Sequence, residues 1–234
     1  MKTTLLVMTL NEIEGMKAIM PHIKNEWVDQ IIVVDGGSTD GTIEWSREHG
    51  YEVYVQKRKG FRHAYNEVLP LIKGDVVLTF SPDGNSVPEL IPALLDKMRE
   101  GYDMVIVSRY LGDAKSEDDD PVTAFGNWLF TKTVNILHGG HYTDAMVIYR
   151  AYKTQLIYDL ELNKEEGYAR AESLFNTNIS WEPLLSVRAA KRKLKIGEIP
   201  GDEPARIGGE RKLKILKWGA AYYFQFFREL FYCK

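Results

Sequence analysis

Cysteine is almost absent. The 234-residue chain carries one, Cys233, so no internal disulfide can form and a reducing compartment is expected. Long apolar runs are missing too: without ~18 uninterrupted apolar residues, no segment is expected to span a bilayer. The first ten residues are only strand-length and no small-residue cleavage site follows them, so a cytoplasmic protein is the expectation. Excess charge is also lacking. The formal net charge is −3, and positive residues are spread along most of the chain, which argues against a nucleic-acid partner. No G-x-G-x-x-G follows the first strand-like run and no G-x-x-x-x-G-K-[ST] occurs anywhere, which argues against a nicotinamide dehydrogenase or a P-loop enzyme. The glycine- and basic-rich first loop of a nucleotidyltransferase is not there either, since Met8-Thr9-Leu10-Asn11-Glu12 offers neither feature.

What is present is an alternation. Strand-like runs at 4–8, 31–34, 52–55, 76–80 and 104–108 are separated by helical stretches, which predicts an α/β domain with a mostly parallel central sheet flanked by helices. Helices are read after Asn11-Glu12, over 42–49 and over 88–99, with Gly50 and Gly101 as stops. After Arg109 the texture changes. Residues 115–121 form a charged segment, read as a solvated loop or an active-site lid. A helix is predicted over 122–138, a strand over 144–150, a helix over 168–178, and from Ile196 a strand followed by a loop rich in Gly, Arg and Lys. No internal repeat or low-complexity tract interrupts this order.

Two strand-like runs end in acids. Val76 to Phe80 leads through Ser81-Pro82 to Asp83, and Ile31 to Val34 leads into Asp35-Gly36-Gly37-Ser38-Thr39-Asp40-Gly41-Thr42. Ligands of open α/β sheets sit outside the carboxyl ends of the strands, so both acids are placed for chemistry. Asp83 suits a hard Mg²⁺ or Mn²⁺ that bridges diphosphate oxygens and takes one or two carboxylates from the protein. Such a metal would offset charge on a departing diphosphate. Asp35 and Asp40 suit recognition of a base or ribose, with Gly37 and Ser38 allowing close backbone approach. Either turn alone is also read as an ordinary Asp-Gly turn.

Taken together these residues resemble the family 2 glycosyltransferases of GT-A fold, especially the dolichol- or polyprenyl-phosphate sugar synthase branch, over most of the chain. Thr9, Asn11 and Glu12 match that family's first strand exit, Asp35 to Thr42 its second, and Lys59-Gly60 through Asn66 its phosphate-side loop. Asp83 falls at the second acidic position of its Asp-x-Asp segment, where Ser81 replaces the first acid. Ser108-Arg109-Tyr110 is similar to the Arg-Tyr after the fifth strand, and 143–150 to an acceptor-side strand. Glu172 falls where the family carries a helix-borne acid near the acceptor. For a hydroxyl acceptor a carboxylate would serve as general base, with Glu172 and Asp144 as the two candidates, whereas a phosphate acceptor hardly needs one. The segment 199–213 resembles the late loop that closes over the diphosphate: Arg206 and Lys212 match, and Arg211 replaces a serine. Guanidinium forks suit phosphate oxygens.

The resemblance implies an inverting transfer from a nucleotide-diphosphate sugar to a polyprenyl phosphate, or to a saccharide or lipid-linked acceptor, with a divalent cation. The alternative is a catalytically weakened sugar-nucleotide-binding or scaffold protein, motivated by Ser81. The chain divides into a transferase domain, 1–211, and a basic, aromatic helix, 212–234. That helix suits a peripheral contact with the inner face of the cell membrane, a homodimer contact or packing on the core.

Overall fold

The computed structural model describes residues 1–208 and 215–232. Five strands stand where the apolar runs put them: β1 (Thr3–Thr9), β2 (Gln30–Asp35), β3 (Glu52–Val55), β4 (Val76–Phe80) and β5 (Met104–Ser108). With β6 (Arg150–Lys153) and β7 (Ile196–Pro200) they form a seven-stranded sheet in the order β3-β2-β1-β4-β6-β5-β7. Every neighbouring pair is parallel except those of β6, which runs antiparallel to β4 and to β5.

The central strands are apolar throughout because both faces of the sheet are covered. Leu5, Val7, Val33, Leu78 and Val105 point to one side, against α1 (Ile13–Ile19) and α4 (Ile91–Arg99), with α2 (Thr42–Glu48) alongside. Leu6, Met8, Ile32, Val34, Val77 and Ile106 point to the other. That second side holds α3 (Phe61–Val68), α5 (Pro121–His138), α6 (Leu156–Asp159), α7 (Ala169–Phe175), α8 (Glu182–Lys191) and α9 (Ile215–Glu229).

Three sequence expectations change. The strand predicted over 144–150 begins only at Arg150, because the side chain of Arg150 gathers the preceding carbonyls: Nε donates to Val147 O at 2.8 Å and Nη2 to Ala145 O at 3.3 Å. Carbonyls turned to a buried guanidinium are not available to a neighbouring strand. The segment Lys59 to Asn66 is loop only as far as Gly60, and the rest is the first turn and a half of α3. Nothing in the sequence reading indicated α8, whose residues 182–190 are all buried; a helix covered all round shows no apolar stripe.

The proposed boundary at 211 and 212 falls outside the described residues, but α9 itself is docked on the domain. Ala221, Phe226, Gln225 and Glu229 are fully buried. Glu229 takes Arg188 Nε and Nη2 of α8 at 2.9 and 3.0 Å, and Gln225 donates to Gly167 O at 3.0 Å. Half of the aromatic tail therefore packs on the core rather than on a membrane or a second copy. Replacing Glu229 by Ala would leave the Arg188 guanidinium buried without this carboxylate. The expected loss is about 3–5 kcal/mol of unfolding free energy, read from urea denaturation.

Candidate active site

The parallel strands β1, β2, β4, β5 and β7 end at one edge of the sheet. The register pairs Thr9 with Asp35, Val7 with Phe80 and Ser108 with Pro200. At the first two exits Asp35 is completely buried. Its Oδ1 accepts the Gly37 and Ser38 amides at 2.8 and 2.7 Å, and its Oδ2 accepts the Thr9 and Ser38 hydroxyls at 2.8 and 2.6 Å. Four internal donors thus occupy the two oxygens of Asp35, which shapes the turn. Asn11, at φ 53°, closes the same turn by accepting the Thr39 amide and donating its own amide to Ser38 Oγ. Asp40 accepts the amide and hydroxyl of Thr42 and the amide of Ile13. Burial would raise its carboxyl, but the bonds from Thr42 and Ile13 outweigh that and hold it below the usual range. Gly37, at φ 94°, and Thr39 are exposed, leaving a backbone surface that a planar base can approach.

At the β4 exit Ser81 is half-buried and Asp83 buried. Here the last loop of the fold closes down. Arg206 Nη1 lies 2.7 Å from Asp83 Oδ2 and 3.9 Å from Glu12 Oε1, and the Ile207 amide donates to Asp83 O at 2.7 Å. Two glycines make room. A Cβ on Gly15 of α1 would stand 2.2 Å from the Pro82 carbonyl oxygen, and one on Gly84, at φ 94°, would stand 2.8 Å from Ile207 Cγ1. Asn85 donates its amide to Asp83 Oδ1 at 3.2 Å and its Nδ2 to Asp118 at 3.0 Å, while its buried Oδ1 has no hydrogen-bond partner. Among the described residues no cluster of three or more His, Cys, Asp or Glu could hold a metal. The donor set of one carboxylate and one spare amide oxygen still fits a hard cation that brings most of its oxygens with a diphosphate. Arg211 and Lys212 lie outside the described residues.

At the β5 exit Arg109 is held by two acids. Its Nε and Nη2 donate to Asp144 at 2.6 and 3.0 Å, and its Nη1 to both Glu203 oxygens at 3.2 Å. Burial alone would lower the guanidinium pKa, but Asp144 and Glu203 keep it well above its ordinary value. Asp144, one of the two general-base candidates, is completely buried and bound by a bidentate guanidinium, so both of its oxygens face Arg109. The charged segment 115–121 is also engaged. Ser116 bonds Glu203, Asp119 bonds Tyr110, and Asp120 caps α5 through the Val122 and Thr123 amides.

Glu172 of α7 sits at the start of α3 rather than with these groups. It takes Arg62 Nη2 at 2.6 Å and the Ile179 amide at 3.0 Å. Arg62, itself buried, reaches Glu165 at 2.5 Å as well. Lys59 is exposed and Gly60, at φ 108°, precedes α3, but Asn66 turns inward to donate to Asn163 O at 3.2 Å.

Sequence reasoning missed Asn85, Glu203 and Arg62. The spacing of Asn85 two residues beyond Asp83 was a readable signal. Glu203 and Arg62 carried none, because their partners are 94 and 110 residues away in the chain. Gly15→Ala is expected to displace the Asp83 turn and to lower the urea midpoint, because its Cβ would meet the Pro82 backbone; a midpoint equal to that of the wild type would contradict this close approach. A second expectation concerns pH. Burial raises the Glu203 carboxyl despite Arg109 and Ser116. The folded chain thus holds that proton more tightly than the unfolded chain, and Glu203 adds stability as pH falls through the raised value toward about 4.3. Glu203→Gln lacks this gain, so acidification from neutral pH should lower its urea midpoint more than that of the wild type.

The sequence profile of glycosyl transferase family 2 matches residues 4–160. Over 91% of this chain and 87% of the relative, it is 29% identical to a dolichyl-phosphate hexose transferase of Haloferax volcanii. It is 27% identical to an undecaprenyl-phosphate mannosyltransferase of Micrococcus luteus, over 94% of this chain and 95% of the relative. Among solved structures it resembles glucosyl-3-phosphoglycerate synthase of Mycobacterium tuberculosis, seen with Mn²⁺, uridine diphosphate and phosphoglyceric acid. The TM-score is 0.69 at 19% identity, covering 98% of this chain and 78% of that one. The protein therefore has the GT-A fold and belongs to glycosyl transferase family 2, where it is similar to transferases named for polyprenyl-phosphate substrates.

Proposed function

We propose that this glycosyltransferase moves a sugar from a nucleotide-diphosphate sugar to a polyprenyl phosphate, in one inverting displacement assisted by Mg²⁺ or Mn²⁺. The observation that carries the reading is the contact of Asp83 with Arg206 at the β4 exit, 2.7 Å long. A carboxylate and a guanidinium held together at a strand end are the two groups that a cation-bound diphosphate would separate. Arg206 would turn to phosphate oxygens, where its fork fits. Asp83 and the Asn85 amide oxygen would hold the cation, which when bound offsets the charge of the leaving diphosphate. Thr9, Asn11, Glu12 and the 35–40 turn would seat the nucleotide beside it.

The acceptor follows from the bases. Asp144 is bound by Arg109 and Glu172 by Arg62, so both candidate carboxylates already have cations of their own. Deprotonating a hydroxyl would call on a free base, whereas a phosphate acceptor arrives ionised. The names of the Haloferax and Micrococcus relatives support the same choice. Because such an acceptor is a lipid, the reaction takes place at a membrane surface, in this reading the cytoplasmic one. Among the described residues no helix is long and apolar enough to cross a membrane.

A panel of nucleotide-diphosphate sugars with polyprenyl phosphate tests this directly. Glycosyl polyprenyl phosphate and free nucleoside diphosphate should form with inverted anomeric configuration, and Asp83→Asn should lower kcat by ~10²-fold or more. Glu172→Gln should keep kcat within ~10-fold, because loss of a true general base costs 10²- to 10⁴-fold, an order-of-magnitude range. Turnover of a saccharide hydroxyl but not of polyprenyl phosphate, or a Glu172→Gln collapse in kcat alone, would contradict the acceptor assignment.

A further inference from the structure

The helix α5 has a buried side and an exposed apolar side. Its inner side, with Thr123, Thr131, Val134 and His138, is buried against the domain. On the opposite side Val122, Phe125, Trp128 and Ile136 are 64, 60, 53 and 78% exposed. At 100° per residue these four and Lys132 fall within one third of the helix circumference, diametrically across from the buried set. From Val122 to Ile136 the stripe runs about 21 Å along this 18-residue helix. Surface helices of soluble domains normally present charge on that side, and scattered single apolar residues would need no explanation, but a full-length stripe does.

We propose that the outer face of α5 is a docking surface for an anionic lipid leaflet. Its position rests on the reading of the acceptor as a lipid phosphate. The stripe starts where the β5-exit loop ends: Asp120 caps the helix, and Asn127, one turn and a half in, donates to the hydroxyl of Tyr110, the residue after Arg109. A helix lying flat at the headgroup boundary would thus hold the acceptor end of the site at the depth of a lipid phosphate. Charge and chemistry fit the same occupant. Lys132 is exposed on the stripe, and Lys217 is exposed at the start of α9, two residues before Gly219, where an added Cβ would stand 3.7 Å from Phe130 Cζ of α5. Lysines can reach anionic headgroups while Phe125 and Trp128 sink toward the acyl chains. Of the acids preceding the helix, Asp118 is bonded to Asn85, Asp119 to Tyr110 and Asp120 to the first turn of α5, while Glu117 is exposed. A second copy fits less well, because an isologous contact along this face would bury Lys132 on both sides.

The test uses vesicles of phosphatidylcholine with and without phosphatidylglycerol. Wild type should co-sediment with the anionic vesicles, and brominated acyl chains should quench a part of the tryptophan emission that is missing in Trp128→Phe. The double variant Val122→Ser, Phe125→Ser should bind these vesicles ~10-fold more weakly or worse, with an unchanged circular dichroism spectrum. It should also turn over a short-chain, water-soluble polyprenyl phosphate as the wild type does and fail only on vesicle-embedded acceptor. Equal vesicle binding by wild type and double variant, or no quenching at Trp128, overturns the proposal. A dimer in light scattering that the double variant dissociates, without vesicle binding, assigns the face to a second copy and overturns it too. If wild type binds vesicles as described but transfers sugar to no lipid phosphate, long or short, the function proposed above fails while the surface stands.

Discussion

The contact between Arg206 and Asp83 joins the last loop of the fold to the exit of a central strand, and the layout of the site depends on it. The loop arrives from β7, two strands beyond β6, and reaches Asp83 only because β7 runs parallel to β5 and releases the chain at the same edge. The approach is close enough that a Cβ on Gly84 would clash with Ile207, and α1 closes on the other side through Gly15. Either charge, buried without the other, would cost several kcal/mol. The pair therefore secures the turn as well as preparing it for a ligand. In the proposed reading, a diphosphate with its cation would offer each partner a new counter-charge.

Buried arginines organise the rest of that side of the molecule. Arg150 gathers the carbonyls of 145 and 147, Arg188 takes Glu229 and ties α9 to α8, Arg62 takes Glu165 and Glu172, and Arg109 takes Asp144 and Glu203. This gives a site whose acids are already neutralised. In the proposed reading, catalysis on such a scaffold would rest on positioning and on charge stabilisation rather than on proton abstraction. A phosphate acceptor and a diphosphate leaving group are the partners for which that is sufficient.

Much of this was readable in the sequence, for identifiable reasons. Strands buried on both faces are continuous apolar runs, so their ends, and the acids Asp35 and Asp83 that follow them, could be located. What those acids bond to could not. Asp35 is enclosed by Thr9 from a strand 26 residues away, and Asp144 by Arg109 from another exit, and neither pairing leaves a periodic trace. The segment 144–149 reads as a strand by composition but is drawn off by a single side chain, Arg150. The helix α8 is buried all round, with Glu182 and Arg188 among its buried residues, and α5 carries its large apolar side chains on the exposed side, so one was overlooked and the outer face of the other was not distinguished from its core face. The aromatic tail was recognised as amphipathic, yet composition alone could not say that Tyr222 and Phe226 face inward.

The central claim is that Arg206 holds Asp83 until a diphosphate-bound cation takes its place. Titration of Mn²⁺ followed by the paramagnetic resonance of the free ion tests it with no activity assay. Wild type should bind Mn²⁺ weakly alone and much more tightly with a nucleoside diphosphate, whereas Arg206→Ala should bind Mn²⁺ alone more tightly than the wild type does, and Asp83→Ala should bind it in neither condition. Equal binding of Mn²⁺ and diphosphate by wild type and Asp83→Ala would contradict the account.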